Sequence, residues 1–136
     1  MIHKIDYKTV HLFEKIFEVL EPPKPLTISS WAAEKRRLSR EASAEPGRWN
    51  LDRAPYQRSI MDAISSPGLK RVVLMTSAQI GKTEMLLNTI GYYSEHDPSP
   101  IMVVNPTDAM AQAFSKDRLA PMIRDTECLK EIYGMA

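Results

Sequence analysis

The stretch RVVLMTSAQIGKTE, residues 71–84, decides how this chain is read. Val72, Val73, Leu74 and Met75 form a continuous apolar run, the pattern of a strand covered on both faces in a parallel sheet. TSAQIGKTE follows at once. From Thr83 to about Tyr93, the residues Met85, Leu86, Ile90 and Tyr93 recur at helical spacing, and His96 to Pro100 reads as a return loop. Ile101, Met102, Val103 and Val104 make a second buried-type strand, after which Thr107 can cap a helix through Lys116.

A strand, a turn ending Gly-Lys-Thr, a helix and another apolar strand is the opening βαβ unit of a P-loop nucleotide-binding fold. The residue types suit the chemistry. Gly81 lets the backbone approach phosphates closely, and N–H groups at the helix start point toward the anion where the helix dipole is favourable. Lys82 supplies a cation to the β and γ phosphates of ATP and is the candidate catalytic residue. The Thr83 hydroxyl is the candidate ligand for a bridging Mg²⁺. The candidate nucleotide-binding residues of the loop are therefore Ser77, Ala78, Gln79, Ile80, Gly81, Lys82, Thr83 and Glu84. Thr76 stands where the strict pattern has glycine, so the first turn of the loop is assigned to a residue with a β-carbon.

Working outward, Pro55 suits the first turn of a helix running to about Ile64, with Tyr56, Ile60, Ala63 and Ile64 on one face, and Ser65 to Gly68 ends it. Tyr56 and Gln57 sit at its start. An aromatic face stacks on a purine, and a Gln amide pairs with adenine N6 and N7. The alternative is that Tyr56 packs in the core and Gln57 is solvated. Residues 39–50 read as loop, and Ser29 or Ser30 as the cap of a helix from Trp31 to Leu38 with a solvated side. Leu12, Phe13, Ile16, Phe17, Val19 and Leu20 recur at helical spacing around Glu14, Lys15 and Glu18, an amphipathic helix that Pro22 and Pro23 stop.

The 136 residues are 43% hydrophobic and 26% charged, with 18 basic against 17 acidic side chains, which excludes a disordered polyelectrolyte and a histone-like basic coat. No apolar run is long enough to cross a bilayer, so no membrane partner is expected. The amino end lacks the pattern of a secretory signal. Cys128 is alone, which excludes an internal disulfide. Residues 33–58 hold seven Lys/Arg against four Asp/Glu. Within them Lys35, Arg36, Arg37 and Arg40 read better as a solvated face than as a phosphate-binding run. Trp31 and Trp49 read as packing anchors, and His3, His11 and His96 lack partners at metal spacing.

Residues 26–64, 72–93 and 101–126 resemble the amino-terminal part of the lambda-type bacteriophage terminase large subunit, the GpA family, a likeness covering about residues 20 to 130. In that family the large subunit is the ATP-driven motor that packages DNA into an empty capsid, with a separate nuclease domain. The resemblance implies that TSAQIGKTE is the deviant Walker A loop, that Tyr56 and Gln57 recognise adenine, and that Asn105-Pro106-Thr107 is a helicase-like motif. The cofactors it implies are ATP and Mg²⁺. The implied partners are double-stranded DNA, the small terminase subunit, the portal of the procapsid and further copies of the motor, in the host cytoplasm.

The fold expected is α/β: an incomplete P-loop NTPase-like parallel sheet of helicase or RecA type, preceded by a helical amino-terminal arm. Residues 1–50 are assigned to that arm and 51–136 to the start of the ATPase domain. The carboxylate that P-loop hydrolysis needs at the end of another apolar strand does not occur here. Glu84, Asp97 and Asp108 lie on helices or in loops. The chain thus reads as an amino-terminal fragment of such a motor that binds ATP weakly and hardly hydrolyses it. A helicase-like nucleic-acid translocase and a non-catalytic assembly module are the alternatives. Two apolar strands alone should leave Val72, Leu74, Met102 and Val103 with uncovered apolar surface.

Overall fold

A computed structural model describes residues 7–20, 25–41 and 43–134, without the side chains of residues 8, 9, 18 and 19. Pro22, Pro23 and His3 lie outside the described residues, as do the side chains of Glu18 and Val19. Seven α-helices and a two-stranded ribbon make up the regular structure among the described residues: α1 (Tyr7–Leu20), α2 (Ile28–Lys35), β1 (Arg37–Leu38), β2 (Gly47–Arg48), α3 (Tyr56–Ile64), α4 (Lys82–Glu95), α5 (Asp108–Ala113), α6 (Ala120–Asp125) and α7 (Glu127–Tyr133). One turn of 3₁₀ helix at Leu51–Arg53 leads into α3, and a wider π turn at Phe114–Leu119 joins α5 to α6.

Local chemistry sets these boundaries. Thr27, rather than Ser29 or Ser30, caps α2: its hydroxyl accepts from the Ser30 N–H, and the Ser30 hydroxyl accepts from the Thr27 N–H, a reciprocal box. Ser29 is buried instead. The helix stops at Lys35 rather than Leu38, because Arg36 turns extended and residues 37–38 pair antiparallel with 47–48, Arg37 opposite Arg48. Thr107 caps α5 as its position suggested, accepting from the Met110 N–H.

The core gathers Ile28, Trp31 and Ala32 of α2, Leu51, Met61 of α3, Met85, Leu87 and Tyr92 of α4, Met122 and Ile123 of α6 and Leu129 of α7. Trp31 is the anchor of the α2–α4 contact. Its ring lies so close to Gly91 that a Cβ there would fall 2.2 Å from Trp31 Cη2, and its indole N–H donates to Glu95 Oε2 at 2.8 Å. Lys35 Nζ reaches the same carboxylate at 2.8 Å. Farther along, the Leu26 N–H donates to His96 Nε2 and the Tyr92 hydroxyl donates to the Leu26 carbonyl. These contacts fasten residues 26–35 to α4.

The expected parallel sheet is not formed. Residues 71–75 and 101–105 carry no strand pairing, and among the described residues no backbone hydrogen bond joins either segment to a neighbour. An apolar run favours burial, but a strand exists only where a partner accepts and donates along its edge. Leu74 alone of the first run packs against the core. Met75 is 95% exposed and Met102 84%, with Val73 and Val104 close behind. In α1 the apolar residues Leu12, Phe13, Ile16, Phe17 and Leu20 are likewise exposed.

Candidate functional site

The loop from Thr76 to Gly81 follows the unpaired segment 71–75 and turns into α4. Two residues take the left-handed conformation that makes the turn, Gln79 at φ 60° and Gly81 at φ 85°. Of the two, Gln79 carries a β-carbon, and Thr76 does not take a positive φ. Gly81 is the N-cap of α4, which puts Lys82, Thr83 and Glu84 in the first helical turn. Glycine is needed there twice over: L side chains disfavour that φ, and a Cβ would lie 2.4 Å from Gln57 Nε2.

Lys82 bends back across the loop. Its Nζ donates to the Ser77 carbonyl at 2.6 Å and to Thr76 Oγ1 at 3.1 Å, closing residues 76–82 into a compact ring. The Thr83 side chain is exposed and makes no hydrogen bond among the described residues. Ser77, Ala78 and Gln79 are exposed on the outside of the same turn.

Tyr56 and Gln57 meet this loop from α3. Both donate to one acceptor, the Ile80 carbonyl, through Tyr56 Oη at 3.0 Å and Gln57 Nε2 at 2.9 Å. Gln57 is buried, 4% exposed, and Tyr56 is 49% exposed, the reverse of the arrangement in which the tyrosine is core and the amide solvated. The buried Gln57 Oε1 has no partner. Gln57 also lines a cavity of about 360 Å³ with Trp49, Asn50 and Arg53, and Trp49 Nε1 is a second buried polar atom left unpaired nearby.

Glu84 points away from the loop toward Arg36. The Arg36 guanidinium is buried, 2% exposed, and its Nη2 donates to Glu84 Oε2 at 3.1 Å, while Nη1 donates to the Arg37 carbonyl. Burial lowers the Arg36 pKa from its ordinary value, and the charges of Glu84 and Asp125 oppose that shift. The solvated-face reading of the basic run thus fails at Arg36. Lys35 is half-buried in its ion pair with Glu95, whereas Arg37 and Arg40 are exposed as that reading expects. Sequence reasoning missed Arg36, because a lone arginine inside a basic run carries no sign that it is buried.

A profile of the phage terminase large subunit gpA ATPase domain matches residues 43–135. The chain belongs to that family. Its terminase relatives include the large subunit of Enterobacteria phage P21, 36% identical over 110 residues, which are 81% of this chain and 17% of the relative. The large subunit of Escherichia phage lambda is 36% identical over 107 residues, 79% of this chain and 16% of the relative. The chain thus spans about a sixth of the length of these curated terminase subunits. No solved structure matches it.

Proposed function

We propose that this chain binds ATP through residues 76–84 and forms the nucleotide-binding portion of a phage DNA-packaging motor with a P-loop, Walker A type of site. The observation that carries the reading is the convergence on one carbonyl: Tyr56 and Gln57 both brace Ile80, one residue ahead of the left-handed Gly81 and the cationic Lys82. Phosphate-binding loops need such a backbone, held rigid while its N–H groups face the anion.

In this reading Lys82 exchanges its carbonyl partners for the β and γ phosphates, and the loop N–H groups from Ser77 to Glu84 hold the remaining oxygens. The Thr83 hydroxyl, exposed and without a hydrogen bond among the described residues, would hold a Mg²⁺ ion on the phosphates. Magnesium neutralises charge on the phosphates when bound. The exposed Tyr56 ring stacks on adenine, and the unpaired Gln57 Oε1 accepts from its amino group. Double-stranded DNA, the small terminase subunit, the procapsid portal and other motor copies are the partners this role carries, in the host cytoplasm.

Titrating Tyr56→Ala with ATP and with inorganic tripolyphosphate tests the reading. Stacking acts only where a base is present, so ATP affinity should fall by roughly 5-fold to 150-fold more than tripolyphosphate affinity, which loses only the brace on Ile80. Equal losses for both ligands would contradict it. The exposed apolar stripe of α1 favours a second role, docking the small subunit. Deleting residues 1–25 should then abolish that association with the fold of the remainder retained.

A further inference from the structure

We infer that Arg36 is a positioning residue for the phosphate end of this site: it draws the Glu84 carboxylate aside and so keeps the Gly81 N–H free for an anionic ligand. The inference rests on the phosphate-binding reading above.

Glu84 is the third residue of α4, with Gly81 as its N-cap. A glutamate at that position ordinarily reaches back to the N-cap N–H, the reciprocal half of a capping box, and the helix dipole favours it there. In α2 the equivalent residue does this, Ser30 accepting from the Thr27 N–H. In α4 it does not. Among the described residues nothing accepts from the Gly81 N–H, and the hydrogen-bonded partner of the Glu84 carboxylate is Arg36. Released, that carboxylate would take the donor a phosphate needs and place a negative charge beside the phosphates.

The arginine is built for holding rather than for ligand contact. It is buried at the end of α2, its Nη1 is fixed on the Arg37 carbonyl, its Nε has no partner, and its ion pair among the described residues is with Glu84, with Asp125 acting on it through charge alone. Because α2 is clamped to α4 through Trp31, Gly91 and Glu95, the position of the guanidinium is set independently of the loop.

The test measures affinity for ATP, ADP and AMP in the wild type, in Arg36→Gln and in Arg36→Gln with Glu84→Ala, whose short side chain cannot reach the Gly81 N–H. The single variant should weaken ATP by about tenfold, with smaller losses for ADP and AMP, because repulsion scales with ligand charge. The double variant should recover most of the ATP affinity. In Arg36→Gln the Gly81 amide should also exchange with solvent more slowly than in the wild type, because the released carboxylate accepts from it. Arg36→Met, which fills the buried volume with an apolar chain, gives the same outcomes if the glutamine variant does not fold. Uniform losses across the three nucleotides, or no recovery in the double variant, would overturn the inference while leaving the phosphate-binding reading intact. A wild type that binds no ATP would overturn both.

Discussion

Gln57 and Gly81 are in such close register that the Gln57 amide nitrogen, donating to Ile80 at 2.9 Å, occupies the space a Gly81 side chain would need. The start of α3 is therefore the mould against which the loop is set.

Gly81→Ala should strain the loop in two ways. The left-handed conformation costs about 1–2 kcal/mol with a Cβ present, and Gln57 must leave the Ile80 carbonyl. The expected outcome is a large loss of nucleotide affinity with helical content unchanged, read by calorimetric titration alongside circular dichroism.

The α2–α4 contact has no room at Gly91. Gly91→Ala should cost at least about 1–3 kcal/mol, the usual range for overpacking a core, because the neighbour is the rigid ring of Trp31. Chemical denaturation would check this. A change within experimental error would mean that the ring can move aside.

Acid should weaken the same contact. Burial pushes the Glu95 carboxyl up, but hydrogen bonds from Lys35 and Trp31 and the Lys35 charge outweigh it and hold the pKa below its ordinary 4.5. Between the folded and unfolded values the unfolded chain binds more protons, so this stabilisation is complete above about pH 4.5 and lost as pH falls through the folded pKa. Thermal unfolding of Glu95→Gln from pH 7 to pH 3 should show a shallower acid decline than the wild type.

What the sequence made legible was local. The spacing in residues 83–93 and 55–64 located α4 and α3 within a residue or two, and Thr107 announced its own cap. Gly81 was readable because only glycine suits that turn. The pairs that matter most were not readable, since Arg36 and Glu84, or Trp31 and Gly91, are separated by dozens of residues and meet only through packing. The segments 71–75 and 101–105 carry a strand pattern without forming strands, because pattern specifies a tendency to be buried and pairing requires neighbours.

Those exposed runs should make the chain self-associate. Val73, Met75, Met102 and Val104 present apolar surface of the kind that marks interaction or aggregation. Sizing at rising concentration should show assembly beyond the monomer, reduced in a variant carrying Val73→Thr and Met102→Thr. A wild type that stays monomeric throughout would contradict this.

ATP binding to the wild type and to Lys82→Ala is the most direct test of the central claim. Lys82 sits on the loop surface against Thr76 and Ser77, outside the core cluster, so its removal should leave thermal unfolding nearly unchanged. The wild type should bind ATP in the presence of Mg²⁺, and the variant should lose at least about tenfold in affinity, as removal of a charged phosphate contact implies. Equal ATP affinity in two equally folded proteins would show that residues 76–84 are not where this chain holds nucleotide.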